Sequence, residues 1–134
     1  MQELYFKNAF VSLYYDKDQK LGTAVWNGNI KGSEFRESLL LCLDLIDRFG
    51  LISWLADDRK MKAIDPADVL WSQEVFLPRI LRGSIVRMAR LPSHSAENRE
   101  AIELLKDSSK GFTTNLIIRD FNTEAEAIEC LLQV

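Results

Sequence analysis

Asp57 and Asp58 are the residues of this chain best suited by type and position to do chemistry. They follow the apolar run Leu51-Ile52-Ser53-Trp54-Leu55-Ala56, which reads as a strand covered on both faces. In open α/β sheets ligands gather beyond the carboxyl ends of strands, so a carboxylate pair there could hold Mg²⁺ or accept a phosphoryl group. The competing reading is a solvated turn paired with Arg59 or Lys60. It is preferred because two adjacent Asp side chains need not converge on one ion.

His94 is the single histidine. It lies in Leu91-Pro92-Ser93-His94-Ser95, a loop ahead of a helix, where it could serve as a general base. Ser93 is its immediate neighbour, however, which is a poor geometry for a base activating a serine. No G-x-S-x-G elbow surrounds Ser93 either. One His and two Cys make no zinc ligand set, and no Walker loop or G-x-G-x-x-G occurs. Trp26-Asn27-Gly28-Asn29 is a turn signal whose one glycine cannot build a phosphate cradle. The reading is therefore no catalytic group, no metal and no cofactor. The candidate binding residues are Asp57, Asp58, Arg59, Trp26 and Arg87. Trp26 and Arg87, with Trp54, are the expected wall of a small-molecule pocket. Tyr5, Tyr14 and Tyr15 are a candidate aromatic interface on the front strands.

The elements that must position these residues follow from periodicity. Phe10 to Tyr15 and Leu21 to Trp26 read as strands joined through Asp16-Lys17-Asp18-Gln19-Lys20, with Leu4 to Phe6 as a short edge strand. Phe35, Leu39, Cys42, Leu43, Ile46 and Phe49 recur at helical spacing, with Ser33 as the expected N-cap and Gly50 at the C′ position. Asp65-Pro66 opens a second helix that Pro78 should kink or end and Gly83 closes. Ile85 to Leu91 is a strand, Ser95 starts a third helix, and Phe112 to Ile118 is a further strand. Thr123 and Glu126 form a capping box for the last helix. The order β-β-β-α-β-α-β-α-β-α predicts an α/β fold. A single-layer mixed sheet is expected, antiparallel at the front and largely parallel after it, with about four packed helices. Leu51 to Ala56 and Ile85 to Ala89 are expected as interior strands.

The 134 residues suit one domain over 1–134, and 47% hydrophobic with 28% charged residues is globular. A net charge of −3 and a pI near 5.2 do not favour nucleic acid. The basic stretch Lys60, Lys62, Arg79, Arg82, Arg87 and Arg90 is interrupted by Asp65, Asp68 and Glu74, and reads as a solvated mixed-charge face. Cys42 and Cys130 lie on apolar helix stripes as buried thiols. Met1 to Asp16 holds no continuous apolar run, and no segment reaches the ~20 residues that span a bilayer. A cytoplasmic protein without membrane contact is expected.

Three stretches carry a resemblance. One is the strand ending in Trp26-Asn27-Gly28 with the Phe35 to Phe49 helix. The second is the buried strand running into Ala56-Asp57-Asp58-Arg59, with Trp71 in the next helix. The third is Phe121-Asn122-Thr123-Glu124-Ala125-Glu126-Ala127. In these and in its order of elements the chain resembles the SpoIIAA-like branch of the bacterial STAS superfamily over nearly its whole length. The resemblance implies a mixed sheet of four to six strands with packed helices, and a role in protein binding or signalling. Phospho-regulated members carry a serine or threonine in a D-S-[ST]-G turn where this chain has Asp57-Asp58-Arg59-Lys60. The hydroxyl is missing, so the implied function is a non-catalytic protein-interaction or regulatory module that is not phospho-switched there. Asp57, Asp58 and Arg59 would then form a constitutive recognition surface on a turn. The alternatives are a small-molecule or lipid-sensing domain, though little length is spare to enclose a lipid, and metal-dependent phosphotransfer through Asp57 and Asp58. The expected partner is a protein, with a homodimer also compatible.

Overall fold

Val11–Asp16 (β2) and Leu21–Gly28 (β3) form an antiparallel hairpin. Its turn is built by Asp16, whose Oδ1 accepts the backbone N–H groups of Asp18 and Gln19. Glu3–Lys7 (β1) adds an antiparallel edge strand with an irregularity between Leu4 and Phe6. Ser53–Met61 (β4), Arg87–Leu91 (β5) and Ile117–Asp120 (β6) follow in parallel, so the sheet order is β1-β2-β3-β4-β5-β6. This computed structural model describes residues 1–133. The α/β class, the antiparallel front and the interior places of β4 and β5 agree with the expectation.

Gly32–Phe49 (α1) ends at Gly50, whose left-handed backbone (φ 57°) lets its N–H reach the Ile46 carbonyl. Its start differs from the expected Ser33 cap. The helix span already begins at Gly32, which takes a left-handed backbone (φ 64°), and the Gly32 N–H is accepted at 2.9 Å by Asp68 Oδ2 from another helix. Pro66–Trp71 (α2) does not stop at Pro78. It runs through a π-helical turn, Ser72–Phe76, into Leu77–Arg82 (α3) as one continuous rod. Pro78 lacks an N–H and its ring crowds the carbonyl four residues earlier, and the widened turn takes up that misfit. Ala96–Ser109 (α4) and Glu124–Leu131 (α5) start at Ser95 and Thr123, whose hydroxyls accept from Asn98 N and Glu126 N. With α2 and α3 continuous, four helical rods pack on the sheet.

The strands differ in extent from the expectation, and one difference matters for the site. β4 runs on to Met61, so Asp57, Asp58, Arg59 and Lys60 are strand residues and not a turn. Asp has low strand propensity, but β4 has a ladder on each side: Val25 and Leu91 both register with Asp57. Interior pairing overrides local preference. β5 starts at Arg87 and β6 at Ile117, both later than the apolar runs suggest.

Alternating residues split the core between the two faces. Trp26, Trp54, Ala56 and Met88 face the large core with α1 and Ala101 of α4. Leu55, Ala89 and Leu91 face Ala127 and Leu131 of α5. No helix among the described residues is long and apolar enough to cross a membrane. Gly22 registers with Trp54 across β3 and β4, and a Cβ there would collide with the indole ring. Gly22→Ala should therefore cost about 1–3 kcal/mol through overpacking, read as a lower denaturant midpoint with an unchanged m-value.

Candidate functional site

The ladder between β3 and β4 advances two residues on β3, Val25 to Asn27, while β4 advances three, Asp57 to Lys60. This is a bulge at Asp58 and Arg59, of the kind that re-aims side chains at functional edges. Asp57 and Arg59 emerge together on the α5 face. Arg59 donates from Nε to Asp57 Oδ1 at 2.9 Å and from Nη2 to Oδ2 at 2.8 Å. Partial burial pushes the Asp57 carboxyl up, but the side-chain and backbone hydrogen bonds from Arg59 outweigh it and hold the group below its usual range.

Asp58 points to the opposite face and is 2% exposed. Arg90 of β5 donates from Nη2 to Asp58 Oδ2. Burial pushes the Asp58 carboxyl up in spite of the Arg90 charge. The two aspartates therefore do not converge, and each is held by its own arginine. A shared metal or phosphoryl site at Asp57 and Asp58 is corrected on that geometry, as is the picture of both carboxylates displayed on a turn.

The Asp58–Arg90 pair is one wall of a half-open pocket of about 90 Å³ at the carboxyl ends of the parallel strands, lined also by Ser93, Asn98, Arg99 and Asp120. Asn98, in the first turn of α4, is 0% exposed. Its Nδ2 donates to the Lys62 carbonyl at 2.9 Å, while its Oδ1 accepts from no described residue. Arg99 Nη1 donates to the Ser93 carbonyl at 2.8 Å. At the rim Lys106 Nζ donates to both oxygens of Asp120 at 2.9 Å. On the other side of Asp58 and Arg90 lies an apolar cavity of about 80 Å³ with Trp26, Trp54 and Met88 in its wall.

Trp26 and Trp54 thus meet as expected, but Arg87 does not join them. By alternation along β5 it shares the α5 face with Ala89 and Leu91, opposite Trp54 and Met88, and it stands beside Ser53 at the amino end, roughly 13 Å along the strand from Asp57. The Ser93 hydroxyl donates to the Met61 carbonyl at 2.5 Å and accepts from Ser95 N, and it is buried while His94 is exposed. The three tyrosines divide between faces. Tyr5 and Tyr15 pack on Phe49 of α1, and Tyr14 points away from them, in register with Leu4. Cys42 is buried, which pushes its thiol up and leaves it inert. Asp68 and Arg90 are not on a solvated mixed-charge face: one caps α1 and the other is paired inside.

Asn98, Arg99 and Asp120 were not legible as site residues. One signal was present for Asn98. It falls at helical spacing with Ala101, Ile102 and Leu105, so a polar residue sits on an apolar stripe. Arg90, inside the apolar run Met88-Ala89-Arg90-Leu91, carries the same signal.

No protein-family model matches the chain, and no curated protein matches it in sequence. Two solved structures share its fold. One is an uncharacterised protein of the DUF3478 family with a SpoIIAA-like fold from Shewanella loihica, at TM-score 0.58 and 10% identity over 98% of this chain and 92% of that one. The other is SiaC of Pseudomonas aeruginosa, at TM-score 0.51 and 10% identity over 90% of this chain and 99% of that one. The fold is SpoIIAA-like, as the resemblance implied.

Proposed function

We propose that the chain is a non-catalytic, cytoplasmic protein-interaction module that recognises its partner with the sheet face opposite α1. One observation carries this reading. α5 packs on β4 and β5, burying Leu55, Ala89 and Leu91, and not on the front strands, where Leu4, Tyr14 and Val25 belong to neither core cluster. Leu4 is 55% exposed and pairs with Tyr14, which registers with Thr23. Val25 registers with Asp57, so the Asp57–Arg59 pair borders the patch. An aromatic and apolar centre with a polar rim, set on a rigid sheet, matches the anatomy of protein interfaces. Asp57 and Arg59 keep the recognition role in this reading. Asp58 and Trp26 are buried, and Arg87 is at the other end of the sheet.

The test is affinity capture from the native cell, with partners quantified by mass spectrometry. Leu4→Arg with Tyr14→Arg should reduce the principal partner at least tenfold, or about 1.4 kcal/mol, with little change in Tm. If the partner is a second copy of the chain, the same variant should turn a dimer into a monomer in sedimentation. Unaltered capture and unaltered assembly would overturn the reading.

A further inference from the structure

A second surface lies at the amino ends of the parallel strands and shares no residue with that patch. We propose that it docks an acidic segment of a partner protein, in extended form, with aliphatic residues set among its carboxylates. The surface is a half-open groove made of two adjoining hollows that meet at Arg87 and Leu131. One holds Lys20, Ile52 and Val86, and the other holds Ile117 and Arg119. Being open to solvent, it suits a chain that enters and leaves and not an enclosed small molecule.

A row of aliphatic side chains sets the apolar half of the partner. Ile52 N donates to the Lys20 carbonyl at 2.9 Å, Val86 N to the Ile52 carbonyl at 2.8 Å, and Ile117 N to the Val86 carbonyl at 3.0 Å. These bonds step across the starts of β4, β5 and β6, so Ile52, Val86 and Ile117 stand one per strand, about 5 Å apart. They are 42%, 41% and 53% exposed. One exposed aliphatic residue is ordinary, but three in a contiguous row make a patch of the kind that partners cover. The row spans about 10 Å, the length of three extended residues. The sheet ladder already holds it in place, so binding has little of it left to order.

Charge sets the other half. Lys20, Arg87 and Arg119 line the groove, against the single carboxylate of Asp18. None of these three cations is in an ion pair among the described residues. Elsewhere the pattern is the reverse: Arg59 and Arg90 each hold an aspartate, and the whole chain carries a net −3. A local excess of positive charge on an acidic chain favours a carboxylate-bearing partner and repels a basic one. Arg87 and Arg119 are on neighbouring strands and share the α5 face, in register with Ile117 and Ala89. A guanidinium takes a carboxylate through two parallel bonds, while its apolar stem extends the aliphatic surface beside it.

The experiment titrates the full chain with three end-blocked peptides, Asp-Glu-Leu-Leu-Glu-Asp, Asp-Glu-Ser-Ser-Glu-Asp and Lys-Lys-Leu-Leu-Lys-Lys. Binding is followed by the backbone amides of Ile52, Val86 and Ile117 in NMR. The first peptide should shift these amides saturably below about 2 mM, and more weakly as salt rises from about 50 to about 500 mM. The serine and lysine peptides should bind about tenfold more weakly or not at all. Arg87→Glu with Arg119→Glu should lose the acidic peptide and gain the lysine peptide, an exchange that a folding defect does not produce. Ile117→Ser, at an exposed position, should weaken the acidic peptide about fivefold with little change in Tm. No saturable shift by the first peptide would overturn the proposal. So would equal binding of the serine peptide, an unchanged preference in the charge-reversed variant, or binding to phosphatidylserine vesicles in place of the peptide.

Discussion

Asp58→Ala should destabilise the fold by about 3 kcal/mol, a drop of roughly 10 °C in Tm. The pair it breaks is enclosed: the side chains of Asp58 and Arg90 are 3% and 14% exposed. Removing the carboxylate leaves a guanidinium desolvated with no counter-charge, which is the costly way to break a buried pair. Replacing both partners is a different experiment. Burial pushes the Asp58 carboxyl up even beside Arg90, with Asp57 and Asp120 adding repulsion, and well-packed apolar residues often replace a buried ion pair without loss. Asp58→Leu with Arg90→Met should therefore recover most or all of the loss. A double-mutant cycle measures this directly. A loss in the double variant equal to the sum of the two single losses would show that the pair is not coupled.

The same shift fixes a pH dependence. An acid whose folded pKa lies above its unfolded value contributes stability that is present below the unfolded pKa and lost as pH rises through the folded one. Asp58 should therefore make the protein lose stability on going upward from about pH 4. Asp57 works in the opposite sense, because its folded pKa is depressed. Its contribution is present above the unfolded value and lost as pH falls through the folded one. Asp58→Asn should remove the first slope and leave the second. A pH series of Tm on wild type and Asp58→Asn separates them, and an identical series for the two proteins would contradict the assignment to Asp58.

Much of this arrangement was legible because it is written in local patterns. The spacing of Phe35 to Phe49 and the glycine at position 50 locate α1. Thr123 and Glu126 locate the start of α5, where the Thr123 hydroxyl accepts from Glu126 N and donates to its carboxylate. What stayed hidden is set by partners distant in the chain. Asp57-Asp58-Arg59-Lys60 reads as a turn on composition, and only pairing with β3 along it, and with β5 at Asp57, makes it a strand. Once it is a strand, alternation sends Asp57 and Asp58 apart, and the bulge keeps Met61 on the core face. Arg87 and Trp26 were grouped by residue type, but periodicity carries no measure of distance along a sheet. The cap of α1 was sought in the neighbouring Ser33 and lies 36 positions away in the chain, at Asp68.

That distant cap leads to the second large effect. Asp68 is 1% exposed, at the first turn of α2. Its Oδ2 accepts the Gly32 N–H at 2.9 Å and its Oδ1 accepts from Arg36 Nε at 3.4 Å. One carboxylate thus satisfies an orphaned N–H of α1, places negative charge at that helix's positive end, and ties two helices together. Lys31 occupies the cap position and supplies no side-chain bond, so nothing local replaces Asp68. Asp68→Ala should cost about 2 kcal/mol, at the upper end for the loss of a cap because the site is buried. Arg36→Ala should cost less than about 0.5 kcal/mol, since that side chain is 41% exposed and its contact is long. Asp68→Asn keeps one acceptor oxygen for Gly32 and should fall between the two. Hydrogen exchange distinguishes a cap from a general packing defect. In Asp68→Ala the amides of the first turn of α1 should exchange faster than the loss of global stability accounts for. The last turn, closed independently at Gly50, should follow global stability alone. Uniform acceleration along α1 would mean that Asp68 acts by packing and not as the cap.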